Sequence, residues 1–250
     1  MVPVLELAAY CEALLGARDF DDYCPNGLQL EGTRPIHRLV TGVTASLALI
    51  EAASAAGADA ILVHHGWFWK GEAPCLTGLK GRRVRALMAS GASLLAYHLP
   101  LDAHGELGNN RQLARLLDIA APEPTGAGHG LVWRGQLARP LSGEAFAEQV
   151  AVALGRRPLR IPAGDRPLAA IAWCSGAAQG FIEEAAALGV DAYLSGEISE
   201  QTTHLARELG IDYFAAGHHA TERLGVQALG DCLAAHFGLD HHFLDIDNPA

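Results

Sequence analysis

Short apolar runs alternate with longer amphipathic ones along most of this chain. LVTGV (39–43) reads as a buried strand, SLALIEAASAAGADA (46–60) as a helix with a glycine near its end, and AILVHH (60–65) as a second strand. Residues 82–90 have helical periodicity, ASLLAYH (92–98) reads as a third strand, and a further helix starts near Asn110. Strands alternating with helices predict a parallel sheet with helices on its faces. The first segment, MVPVLELAAYCEALL, predicts an amphipathic helix; Glu6 and Glu12 and the lack of a basic start set it apart from a secretory signal.

The pattern then recurs as sequence. IEAASAAGADAIL (50–62) aligns without gaps on IEEAAALGVDAYL (182–194), with identities that include Ile50/Ile182, Glu51/Glu183, Gly57/Gly189 and Asp59/Asp191. Alanine matches are cheap in an alanine-rich chain, but the Ile-Glu and Gly-x-Asp-Ala matches are less so. They imply an internal duplication. The expected fold class is therefore α/β, with two similar β-α-β halves around a cleft. Between the halves the texture changes to loop (TGAGHG), strand (LVWRGQLA), helix (GEAFAEQVAVAL) and strand (PLRIP), which predicts a small inserted α+β lobe. The expected divisions are 1–124, 125–165 and 166–250, with FLDI (243–246) as a last strand.

Composition narrows the class. A chain of 250 residues, half of them hydrophobic, buries a large core, and no apolar run is long enough for a membrane span. A formal charge of −10 argues against a broad nucleic-acid or anionic-membrane surface. The five cysteines are scattered with no C-x-x-C, as expected for reduced thiols in a cytoplasmic protein rather than a disulfide scaffold or zinc finger.

The candidate chemistry sits just after the apolar strands, where open α/β sheets place their ligand sites. His64 and His65 end one strand. Asp102 follows another, flanked by His98 and His104. His218 and Glu222, four residues apart, share a face of a helical turn. Each has a plainer reading: polar strand ends, a turn aspartate, or Thr221 capping a helix with Glu222 in its first turn. At the repeat offset of 132 residues His65 corresponds to Glu197, which puts an acid/base-competent side chain after the same strand in both halves. In WFWK (67–70), Trp67 and Trp69 are either packing residues or a platform for a planar ring, with Lys70 near an anionic group. No G-x-x-x-x-G-K-[ST] loop is present, which excludes nucleotide binding of the Walker type.

HHGWFWKGE, HLPLDAHGELGNN, SGEISEQTTHLARE and GHHATER together closely resemble the NIF-three-like family, whose bacterial members are named GTP cyclohydrolase I type 2 homologues. The resemblance runs in order over essentially the whole chain. It implies two similar α/β halves, a ring-shaped homohexamer (a trimer of dimers), and a dinuclear metal centre with ligands at His64, His65, Asp102, His218 and Glu222. It also implies a metal-dependent hydrolase acting on a nucleotide or related small molecule, with a link to DNA damage suggested for bacterial relatives. Glu197 or His98 would then be the general acid or base, and Trp67 or Trp69 would stack a purine. The ligand set contains no cysteine and suits Fe, Zn, Mn, Co or Ni alike. The competing expectation is a non-catalytic metal-binding or protein-interaction module.

Overall fold

Helix α1 (Val4–Leu15) opens the chain and is followed by β1 (Gly27–Leu30), β2 (Arg38–Thr44), α2 (Leu47–Ala55), β3 (Ala60–His65), α3 (Gly78–Ser90) and β4 (Ser93–Ala96) in the computed structural model, which describes all 250 residues. Ser46 starts α2 by accepting the Leu49 N–H at 3.2 Å, which satisfies one of the orphan donors of its first turn. Then come α4 (Leu99–Ala103), α5 (Asn109–Leu116), β5 (Ile119–Pro124), β6 (Trp133–Leu141), α6 (Gly143–Leu154) and β7 (Leu159–Ile161). The chain continues through β8 (Leu168–Cys174), α7 (Ile182–Ala187), β9 (Ala192–Ser195), α8 (Glu200–Leu209), β10 (Asp212–Ala215), α9 (His218–Phe237) and β11 (Asp240–Phe243). The mixed α/β class stands, with two sheets and nine helices.

The chain divides into two compact units, residues 1–101 with 225–247, and residues 102–224 with 248–250. Each holds one sheet. The first has the order β1-β4-β3-β2-β11, with β1 antiparallel to β4 and the other neighbours parallel. The second has the order β5-β6-β8-β9-β10-β7, with parallel pairing confined to β8-β9-β10. In the second sheet, Trp173, Leu194 and Phe214 pack on one face and Cys174, Tyr193 and Tyr213 on the other. A parallel sheet covered on both faces reads as near-continuous apolar runs, which is why these strands stood out.

The duplication extends further than its best-matching segment. Leu39 pairs with Ala60 in the first sheet and Ile171 with Ala192 in the second, at the same offset of 132 residues. Gly27 pairs with Ala96 at the edge of one sheet, and Leu159 with Ala215 at the edge of the other, each in an antiparallel pair. Thus β7, within the segment 125–165 expected to form an inserted lobe, pairs antiparallel at the edge of the second sheet as β1 does in the first. The remaining strand of that segment, β6, pairs with β8 in the same sheet. Pro and Gly punctuation marks the turns around these elements but carries no information about which sheet they join.

Two smaller expectations also shift. TGAGHG is not an open loop: residues 127–130 form a 3-10 turn, held by Glu184 Oε2 accepting the Gly128 N–H at 2.7 Å. The last strand lies at Asp240–Phe243, earlier than FLDI, because Leu244 and Ile246 are apolar for another reason: they pack against the core of the first unit.

Candidate metal centre

In the first unit three imidazoles gather at the carboxyl ends of β3 and β4. Ring nitrogens of His64, His65 and His98 all lie within 4.8 Å of one another. Each ring is held through Nδ1. His64 Nδ1 is 2.9 Å from the Tyr97 carbonyl, His65 Nδ1 is 3.2 Å from the Thr44 hydroxyl, and His98 Nδ1 is 3.0 Å from Asp22 Oδ1. Carbonyl and carboxylate oxygens only accept, so His64 and His98 donate from Nδ1, and coordination or proton acceptance falls to Nε2. Trp69 walls this group, with its ring 5.7 Å from His65 and 5.3 Å from His98. Trp67 does not share that role: it is buried in the first unit's core and donates Nε1–H to the Ala45 carbonyl. Phe68 has φ 68° and turns the chain between the two tryptophans. Lys70 is exposed on this turn.

In the second unit the ligand-type residues come from α4, the β9 end and the first turn of α9. Asp102 is buried, and its Oδ1 accepts from Asn109 Nδ2 at 2.8 Å and Ser175 Oγ at 2.9 Å. Asn110 supports this corner by accepting the Ser175 N–H at 2.9 Å. His218 and Glu222 face the same way on α9, with Nε2 and Oε2 3.1 Å apart, and carboxylate oxygens of Asp102 and Glu222 lie within 4.8 Å of each other. Helix α9 starts at His218, so Thr221 is not its cap; the Thr221 hydroxyl instead accepts the Gly176 N–H at 3.0 Å. Close approach at the β9 end requires glycine: a Cβ on Gly196 would lie 2.6 Å from the Gly176 carbonyl and 2.7 Å from His218 Cα.

Glu197 accepts from His218 Nδ1 at 2.7 Å. Burial alone would lower the His218 pKa, but its hydrogen bonds to Glu222 and Glu197 and their negative charge outweigh that and raise it to about 9. This position therefore strongly favours positive charge. His104 Nδ1 accepts the Glu106 and Leu107 N–H groups of its own turn.

The four imidazoles thus share one device, an oxygen partner on Nδ1. It is the usual outer arrangement of histidines that bind metals through Nε2. Each unit thus offers N/O donors without thiolate, imidazoles in the first and an imidazole with two carboxylates in the second, of the types that suit a divalent transition-metal ion. Sequence reading missed the supporting residues, Asp22, Thr44, Asn109 and Ser175. Asn109 was visible in the GELGNN motif, and Thr44 lies at the end of a recognised strand. Asp22 gave no signal, because its partner His98 is 76 positions away.

Two α/β units, each with a mixed sheet and ligand-type side chains at its strand ends, define the class as a duplicated α/β protein with candidate metal ligands in each unit. The chain belongs to the Duf34/NIF3 (NGG1p interacting factor 3) family, whose model matches residues 2–249. It is 61% identical over 250 residues to a protein of Allochromatium vinosum named GTP cyclohydrolase 1 type 2 homolog, covering 100% of this chain and 98% of that one. A Pseudomonas aeruginosa protein of the same name is 55% identical over 246 residues, covering 98% and 97% of the two chains. A solved structure described as protein ybgI, unknown function, matches with a TM-score of 0.95 at 47% identity and covers 100% of both chains. No helix of this chain is long and apolar enough to cross a membrane.

Proposed function

We propose that this protein is a metal-dependent hydrolase of the kind its relatives' name describes, acting on a nucleotide or related small molecule. His64, His65, Asp102, His218 and Glu222 are the ligands of two divalent cations. The observation that supports this most is the engagement of Nδ1 on every candidate imidazole, which commits His64, His65 and His218 to ligation through Nε2. When bound, such a pair of ions acidifies a water molecule and polarises the carbon or phosphorus centre under attack.

The chain's own residues do the rest. Glu197 orients His218 through Nδ1, a role that its 2.7 Å contact favours over direct proton transfer. His98, whose Nδ1 faces a carboxylate, receives or returns a proton at Nε2. Trp69 supplies the ring face for a purine beside His65 and His98. Exposed Lys70 meets an anionic group. Five protein ligands shared by two ions leave positions for substrate, which favours an enzyme over a storage or interaction module. In this reading the protein works as a cytoplasmic homohexamer.

The test is metal analysis of the purified protein with a panel of nucleotides and phosphoesters. The expected outcome is about two ions per chain, the number that such hydrolytic sites use, with turnover lost on chelation and restored by Zn, Fe, Mn, Co or Ni. Full metal loading with no member of the panel turned over would support the binding module instead.

A further inference from the structure

Among the imidazoles gathered in the first unit, His98 is held by a buried carboxylate. Its Nδ1 lies 3.0 Å from Asp22 Oδ1 and 3.1 Å from Oδ2. Its backbone N–H donates to Asn26 Oδ1 at 2.7 Å, and its Nε2 lies 3.5 Å from the Tyr23 hydroxyl. The Asp22 side chain is only 2% exposed. Its oxygens accept further from Asn26 Nδ2 at 3.0 Å, the Leu99 N–H at 3.1 Å and the Cys24 N–H at 3.4 Å. Asp22, Cys24 and His98 do lie close enough together to hold an ion. The five N–H contacts to Asp22 argue otherwise, since they direct its lone pairs to donors rather than to a cation. Burial pushes the Asp22 carboxyl up, but the hydrogen bonds from His98, Asn26 and Leu99 and the charge of His98 outweigh it and hold the carboxyl below the usual carboxylate range.

An ionised carboxylate can only accept, so the proton of a neutral His98 must sit on Nδ1 and the lone pair on Nε2. We infer that Asp22 is a positioning residue: it fixes His98 as the Nδ1–H tautomer and so presents Nε2 as a proton acceptor beside His64 and His65. The Tyr23 hydroxyl stands where a water or substrate hydroxyl would deliver its proton. Orientation of a histidine by a buried aspartate is what separates a general base from an imidazole with the wrong nitrogen exposed. The catalytic part of this inference rests on the hydrolase reading; the tautomer does not.

Long-range proton–nitrogen correlation spectra of the metal-loaded protein, with His98 assigned from His98→Gln, read the tautomer directly. The expected spectrum has His98 protonated at Nδ1 and bare at Nε2. The opposite pattern in the parent protein overturns the inference, and this measurement needs no variant to fold. In Asp22→Asn the new amide can donate to Nδ1, so the proton should move to Nε2. Metal content should be unchanged. For any panel substrate that the parent turns over, kcat should fall on the order of 10²-fold, the lower end of what general-base catalysis contributes. KM should stay within about twofold, as for a loss felt only in the transition state, and Asp22→Glu should recover part of kcat. Loss of bound metal in Asp22→Asn would instead make Asp22 part of an ion site and overturn the positioning role. A parent protein that turns over nothing in the panel sinks the hydrolase reading, while the spectrum still decides Asp22.

Discussion

Glu222→Ala is expected to abolish metal binding and turnover together while leaving the metal-free fold about as stable as the parent. Glu222 is 3% exposed and sits within 4.8 Å of a second buried carboxylate, Asp102. Like charges in a poorly solvated corner repel, and His218, 3.1 Å from Glu222 Oε2, offsets only part of that repulsion. Alanine removes one of the two charges, so the gain in relieved repulsion opposes the loss of the His218 contact and of one packed methylene. The net change without metal should be small, because the two effects oppose each other and His218 keeps Glu197 as a charge partner at 2.7 Å.

With metal the two proteins should part. A ligand present at 100 times its dissociation constant adds about 2.7 kcal/mol to the folded state. For a chain of this size that corresponds to roughly 5–10 °C in Tm. The parent should lose that increment on chelation, and Glu222→Ala should not have it to lose. Turnover should fall by more than about 10²-fold, since even an outer-shell partner costs 10- to 100-fold. Thermal melts with and without chelator, alongside metal analysis, read both effects. A variant that loses its metal but keeps full turnover would show that the ions do not act in catalysis. A variant much less stable than the parent without metal would make Glu222 a structural partner of His218 instead.

What the sequence made legible follows from the range of the interactions involved. The strands β2, β3, β4, β9 and β10 were visible because both faces of a parallel sheet are buried, so their apolar character is written into consecutive residues. The ligand-type residues were visible because they follow those strands directly. The edge-strand counterpart of β1 was not recognised. Leu159–Ile161 is a three-residue edge strand whose antiparallel partner, Asp212–Ala215, lies some fifty residues later, and nothing local announces that pairing. Thr44 and Asp22 were missed for the same reason: each acts on a histidine that folding alone brings to it, across 21 and 76 positions. That one of Trp67 and Trp69 packs while the other stacks could be read from WFWK, but not which: Phe68, at positive φ, turns the chain between them, with Trp67 in the core and Trp69 beside the imidazoles.

The Gly-x-Asp-Ala match, by contrast, carried more than it seemed to, and it leads to the second large effect: Asp59→Ala and Asp191→Ala should each cost on the order of 2–3 kcal/mol, by the same mechanism in different units. Asp59 Oδ2 accepts the His37 and Arg38 N–H groups at 3.0 and 2.9 Å, and Asp191 Oδ2 accepts the Ala169 and Ala170 N–H groups, both at 2.9 Å. Oδ1 faces Arg34 at 3.4 Å in one unit and Arg166 at 3.7 Å in the other. Every partner repeats at the offset of 132 residues. The preceding glycines, Gly57 and Gly189, have φ of 72° and 73°, the left-handed turn that brings each helix back to the aspartate. The device ties the start of one strand to the start of the next, fixing the register on which the strand ends and their side chains depend.

Because one oxygen takes both backbone donors, asparagine can keep those bonds and lose only the partly exposed arginine pairing, worth about 0–1 kcal/mol. Asp59→Asn and Asp191→Asn should therefore be much milder than the alanine variants. Hydrogen exchange at residues 37–38 and 169–170, with urea unfolding of each variant, separates the contributions: Asp59→Ala should deprotect only the first pair and Asp191→Ala only the second. Equal costs for asparagine and alanine would assign the effect to charge rather than to the two backbone hydrogen bonds. A cost at one site with none at the other would mean that the repeated geometry no longer carries the same weight in both copies.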